Sequence, residues 1–305
     1  KIGESFSLTL YSGSTNQTKD IFKKQAELQI RIHALEKGMS IGHVRVGFGK
    51  EKAFSIIEDL EDLLKKGGAK PFVVESVSVL QKYIEFNGNM GADMVDVGTA
   101  LNRLCSLYNI KINDVGGIYN LNLKDISSKI QCSFDSFSQS RFSIRDFGDS
   151  PLEVEKVCAA LKLCERTPSA CNRQSWRVHV YTENNLVAKM FELQGGSKGF
   201  NKQMQCAILV CGDLRNYGFY EQNLPFVDGG LYAMNLLYSL HYYGLATIPL
   251  TMGHKWRITK KIKQEMRIPS YEVPVLLIGV GTFKDDYKVA VSHRYMYKDY
   301  VKFNQ

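Results

Sequence analysis

Two stretches of this chain, "CAILVCG" (206–212) and "VPVLLIGVG" (273–281), are apolar almost throughout. A strand with one wet face alternates apolar and polar residues. An unbroken apolar run of this length is instead the signature of a strand covered on both sides. Neither run approaches the roughly 18–20 residues that cross a bilayer. Around them, "PLEVEKVCAALKLCERT" (151–167), "NNLVAKMFELQGG" (184–196) and "FVDGGLYAMNLLYSLHYYG" (226–244) read as helices, and "WRVHVYT" (176–182) and "LATIPL" (245–250) as further strands. Helices mixed with doubly covered strands imply a layered sheet domain, α+β or α/β.

The first part of the chain has a different rhythm. "TKDIFKKQAELQIRIHALEKG" closes on Gly38, a natural helix C-cap. "KEKAFSIIEDLEDLLKKGG" carries Phe54, Ile57, Leu60 and Leu64 on one helical face and ends in a double Gly. "PFVVESVSVLQKYIEFNG" opens on Pro71, suited to the first helical position, with Val73, Val77, Leu80 and Ile84 sharing a face. "DMVDVGTALNRLCSLYN" repeats the spacing with Val97, Leu101, Leu104 and Tyr108. Four amphipathic helices in succession predict a small helical unit. The Ser-rich stretch over 124–140 reads as a linker, and the expected domains are 1–130 and 131–305.

With 305 residues, two domains are the default. The formal charge of +8 is spread over scattered lysines without a basic block, so no nucleic-acid partner is expected. No membrane partner is expected either. The seven cysteines (Cys105, Cys132, Cys158, Cys164, Cys171, Cys206 and Cys211) form no C-x-x-C pair. That favours buried thiols in a reducing cytoplasm over a disulfide framework or a metal site. The chain opens on Lys1, so the missing secretory signal carries no weight.

Three clusters carry possible chemistry. In "RFSIRDF", Arg141, Ser143 and Arg145 alternate, which in an extended segment points all three to one side. Two guanidiniums and a hydroxyl make a phosphate clamp, because the guanidinium fork matches phosphate oxygens. A solvated surface strand is the plain alternative. In "TPSACNRQSW", Pro168 ends a helix and the loop offers Ser169, Asn172 and Gln174. Amide side chains donate and accept, as a heteroaromatic ring edge requires; a plain turn is the alternative. Trp176 reads as a core anchor. In "SHRYMY", Arg294 follows the last buried strand.

In order and combination these elements, with "DGGLYAMNLLYSLHYYG", "GLATIPL" and "IGVGTF", resemble the nitroreductase family of FMN-dependent oxidoreductases over roughly 140–305. The resemblance implies a three-layer α+β fold with a central mixed, mainly antiparallel sheet flanked by helices, preceded here by an N-terminal helical domain. It implies that Arg141, Ser143, Arg145 and Arg294 bind the FMN phosphate and ribityl chain, and that Asn172 bonds the isoalloxazine edge. Pro168 and Ser169 would reach the flavin of the other subunit of a homodimer with FMN at the interface. Pro249, Leu250 and Thr251 would lie against the ring. NADH or NADPH would deliver hydride to the flavin, and a small-molecule acceptor would take the electrons in a ping-pong cycle. Where the family's P-x-E-G variant has Glu and Gly, this chain has Thr251 and Met252, so substrate preference stays open. No catalytic acid is assigned.

Three readings compete: a turnover enzyme, a flavin-binding or partner-binding module with little turnover, and a specialised dehydrogenase of a biosynthetic, conceivably surface-polysaccharide, pathway. The segment "HALEKGMSIGHVRVGFGK" adds His33 and Glu36 one turn apart. Without a second His this is poor zinc evidence. A capped helix and Gly turn is the plain account, and a substrate-selecting lid involving His33 and Arg45 the sharper one.

Overall fold

The computed structural model describes residues 21–68, 70–124, 127, 133–217 and 221–304. Cys132, most of the 124–133 stretch and the side chain of Asn172 lie outside the described residues. The chain divides into two compact units: residues 1–119 with 290–305, and residues 120–289.

The first unit contains α1 (Ile21–Met39), α2 (Lys50–Lys65), α3 (Lys70–Asn89) and α4 (Val95–Tyr108). The apolar stripes read from the sequence face inward: Ile57, Leu60, Val73, Val77, Leu80, Val97, Leu101 and Leu104 are all buried in one core. The double Gly ends α2 as anticipated. Gly67 takes φ 81°, and the Gly68 N–H reaches back to the Leu63 carbonyl at 2.8 Å. Gly38 behaves differently. α1 runs through it to Met39, and a Cβ there would overlap the ring of Phe48. This glycine serves close packing rather than a cap. Phe48 in turn lies edge-on to Tyr83, centroids 5.3 Å apart, and the Tyr83 hydroxyl donates to the Phe48 carbonyl. Asn87 accepts from the Gly47 N–H at 3.0 Å, so the loop before α2 is anchored to α3.

The second unit is built on a four-stranded sheet. Its strands are β2 (Trp176–Tyr181), β3 (Cys206–Asp213), β4 (Ala246–Thr251) and β5 (Glu272–Gly281), in the order β2-β3-β5-β4. Every pairing among these strands is antiparallel. A separate two-stranded ribbon pairs β1 (Ile118–Asn122) with β6 (Asp286–Ala290). β3 is buried at all eight positions, as its unbroken apolar sequence requires.

Helices cover both faces of the sheet. On one face, α8 (Leu224–Tyr242) and α6 (Val154–Leu163) enclose Ile208, Val210, Ile278 and Val280. On the other lies α7 (Asn184–Gln194), whose Phe191 would meet a Cβ placed at Gly279. α9 (Trp256–Glu265) packs beside α7. The outcome is the expected three-layer α+β arrangement around an antiparallel sheet.

Part of the Ser-rich stretch is not linker: α5 (Phe134–Ser140) forms there. Phe134 and Phe137, one turn apart, place their rings 6.1 and 5.6 Å from Tyr238 of α8. Two aromatic anchors outweigh the polar composition. α10 (Tyr297–Tyr300) is a short helix near the C-terminus. No helix among the described residues is long and apolar enough to cross a membrane.

Candidate functional site

The 167–176 stretch is a built loop. Pro168 turns the chain out of α geometry, and Thr167 is extended (ψ 129°). Cys171 and Gln174 both adopt left-handed φ, 51° and 48°, which for non-glycine residues needs tertiary support. That support comes largely from Asp228 on α8, a carboxylate only 2% exposed. Asp228 accepts from the Ala170 N–H at 3.0 Å, from Ser175 Oγ at 3.3 Å and from Tyr217 Oη at 2.7 Å. The Ser169 hydroxyl accepts from the Gln174 N–H at 2.9 Å. Arg173 forks onto Glu221 at 2.7 and 2.9 Å and stacks on Tyr217. Thr167 Oγ1 accepts from Asn235 of α8 at 2.8 Å. Trp176 stacks on Tyr232 with centroids 5.0 Å apart, the packing role expected of it.

The 141–148 segment runs extended beside β4. The Ile144 N–H donates to the Thr247 carbonyl at 2.9 Å, and Gly148 bridges to Thr282. Arg145 is buried, and its Nη1 donates to the Ser143 carbonyl at 3.3 Å. Arg141 lies close enough to buried His241 to act on it. Burial first, and the Arg141 charge second, push the His241 imidazole down to about 4. Its Nε2 meets Ser140 Oγ at 2.7 Å. Near neutral pH the imidazole is therefore uncharged while both guanidiniums are positive. Two guanidiniums on one short segment suit a polyanionic group.

At the end of β4, Pro249, Leu250 and Thr251 pair with Ile278, Leu277 and Leu276. Thr251 is doubly engaged: its carbonyl accepts from Gln194 Nε2 at 3.1 Å and its Oγ1 from the Gly253 N–H at 3.1 Å. Just beyond, His254 Nε2 is buried with no hydrogen-bond partner among the described residues. Buried polar atoms are rarely left orphaned, so this nitrogen is a natural point of ligand contact.

Residues 139–198 match the model of the nitroreductase family. This part of the chain is similar to that family. A protein of Archaeoglobus fulgidus named "Putative NADH dehydrogenase/NAD(P)H nitroreductase" is 25% identical over 48% of this chain and 83% of its own length. Among solved structures, an FMN-dependent nitroreductase of Clostridium difficile aligns with TM-score 0.46 and 22% identity, over 55% of this chain and 98% of its own. A nitroreductase family protein of Streptococcus pneumoniae aligns with TM-score 0.48 and 19% identity, over 56% of this chain and 100% of its own.

Within the second unit the fold holds Arg141, Ser143, Arg145, Pro168, Ser169, Pro249, Leu250 and Thr251. Backbone bonding joins the first three to β4, the strand that carries the last three. Arg294 falls in the other unit and is exposed there; half-buried His33 and buried Glu36 lie in that unit too and pair at 3.0 Å. Glu36 also accepts from the Gly117 N–H at 3.0 Å, a structural assignment for that pair. Sequence reasoning missed Asp228, Tyr217, Glu221 and His241. A lone carboxylate inside the apolar helix "FVDGGLYAMNLLYSL" was the available signal for Asp228.

Proposed function

We propose that this chain is an FMN-dependent oxidoreductase that draws electrons from NADH or NADPH and passes them to a small-molecule acceptor, residues 131–305 forming the FMN-binding domain and 1–130 an extension. The observation that carries the reading is the pair of guanidiniums, half-buried Arg141 and buried Arg145, on a segment bonded to β4. It lies in the same unit as the strained, Asp228-braced 168–174 loop.

These residues fit the cofactor. Arg141, Ser143 and Arg145 hold the phosphate. Asn172, Pro168 and Ser169 address the ring edge, and 249–251 lie against the ring. Bound flavin supplies hydride acceptance and onward electron transfer. The chain supplies orientation: Thr251, pinned by Gln194, fixes the main chain beside the ring, and His254 Nε2 offers an unspent polar contact. The imidazole of His241 stays neutral near pH 7, so it adds no like charge beside Arg141.

A homodimer is part of the proposal. α8 is apolar on both sides: beyond its buried face, Val227, Leu231, Met234 and Tyr242 form an exposed stripe at helical spacing. A second copy of the chain would cover it. A cytoplasmic location accords with the free cysteines among the described residues.

The test is optical. Purified protein should show a flavin spectrum that bleaches anaerobically on addition of NADH or NADPH. A bound flavin that neither nucleotide bleaches would favour the binding module.

A further inference from the structure

On the α7 face of the sheet, three side chains from three different strands converge. His179 of β2, Cys211 of β3 and Glu272 of β5 bring one nitrogen, one sulfur and one oxygen within 4.8 Å of one another. His179 Nε2 lies 2.6 Å from Glu272 Oε2. Cys211 and Glu272 are buried, while the His179 side chain is 26% exposed. The β-bulge between Val210 and Cys211 sets Cys211 opposite Pro274, which brings the Sγ into register with the start of β5.

From this juxtaposition we propose that His179, Cys211 and Glu272 form a binding site for a divalent transition metal of the zinc type, separate from the residues assigned to the flavin. Imidazole, thiolate and carboxylate are the donors that zinc prefers. Tetrahedral bonds of roughly 2.0–2.3 Å place neighbouring ligand atoms about 3.3–3.8 Å apart. To admit the ion the imidazole and carboxylate, now 2.6 Å apart, separate by about an ångström, and the three atoms already lie within 4.8 Å of one another.

The surroundings define what such an ion could do. Glu272 lines a cavity of about 550 Å³ together with Lys263, Gln264, Trp256 and Ile268. A three-ligand zinc with its fourth position toward this cavity is open to water or to a ligand. Lys263 donates to the Ser270 and Glu272 carbonyls at 2.7 Å each and is electrostatically coupled to Cys211 and Glu272. Thiolate and carboxylate offset the two charges of the ion, which leaves the ammonium as net positive charge. The fourth ligand is therefore an anion, of carboxylate or hydroxide class.

The test uses the full chain, stripped with chelator under reducing conditions and titrated with Co(II) and Zn(II). One equivalent of Co(II) should give a thiolate-to-metal charge-transfer band and tetrahedral d–d bands in difference spectra. Zn(II) should displace the bands and raise the unfolding temperature. Cys211→Ser should abolish the charge-transfer band, whereas Cys158→Ser, at an exposed cysteine outside the cluster, should keep it. His179→Gln and Glu272→Gln should each weaken binding by roughly tenfold or more while retaining the metal-free unfolding temperature. These two variants keep the test decisive if Cys211→Ser does not fold. Absence of the band in the wild type, its persistence in the Cys211 variant, or an unchanged affinity for the metal in the His179 and Glu272 variants overturns the proposal. None of these readouts depends on flavin.

Discussion

The Asp228 carboxylate, on the first turns of α8, accepts the Ala170 backbone N–H at 3.0 Å and so ties the loop that follows Pro168 to the main helix of the sheet domain. The same carboxylate takes Tyr217 Oη and Ser175 Oγ. One buried group thereby stabilises two left-handed residues, Cys171 and Gln174, at the place assigned to the flavin edge.

Asp228→Ala should leave three donors without their acceptor. We expect a loss of about 2–4 kcal/mol in unfolding free energy. A loss of flavin retention larger than that of any exposed α8 variant should accompany it. Chemical denaturation and flavin content after gel filtration report the two effects.

His241 makes the second unit acid-sensitive. Its folded pKa of about 4 lies below the ordinary value of 6.5. Between these limits the unfolded chain binds a proton that the folded one refuses, so stability falls as pH drops from about 6.5 to 4. The ceiling is about 3 kcal/mol. His241→Gln should flatten that part of the stability profile, measured by urea titration at successive pH values.

Leu101→Ala, in the core of the helical unit, should cost about 2–5 kcal/mol. Gly38→Ala should also destabilise, because its methyl meets the Phe48 ring. The thermal midpoint of the full chain reads both, provided the two units unfold separately enough to be resolved by calorimetry.

Leu231→Lys, within the exposed stripe of α8, should shift the sedimentation coefficient from dimer to monomer. An unchanged coefficient, dimeric or monomeric in both proteins, would remove this stripe as the interface.

Much of this architecture was legible in the sequence, for physical reasons. The Val73–Val77–Leu80 and Val97–Leu101–Leu104 stripes announce helices because burial follows the 3.6 period. The run "CAILVCG" announces a strand between two layers because nothing in it could face water. What stayed hidden depends on contacts remote in the chain. Asp228 and Ala170 are 58 residues apart, so no local pattern links them. Phe134 and Phe137 looked like ornaments on a Ser-rich stretch until Tyr238 came opposite them. Gly38 resembled a cap because the ring that needs its missing side chain lies beyond the helix. His179, Cys211 and Glu272 meet only through strand register.

The most direct test of the central claim is equilibrium binding of FMN to the apoprotein, followed by quenching of flavin fluorescence, in wild type and in Arg145→Gln and Arg141→Gln variants. The account predicts one FMN per chain for the wild type and roughly tenfold or greater weakening for each variant, since each removes a charge-assisted phosphate contact. Wild-type protein that takes up no FMN, or binds it equally well without either arginine, would contradict it.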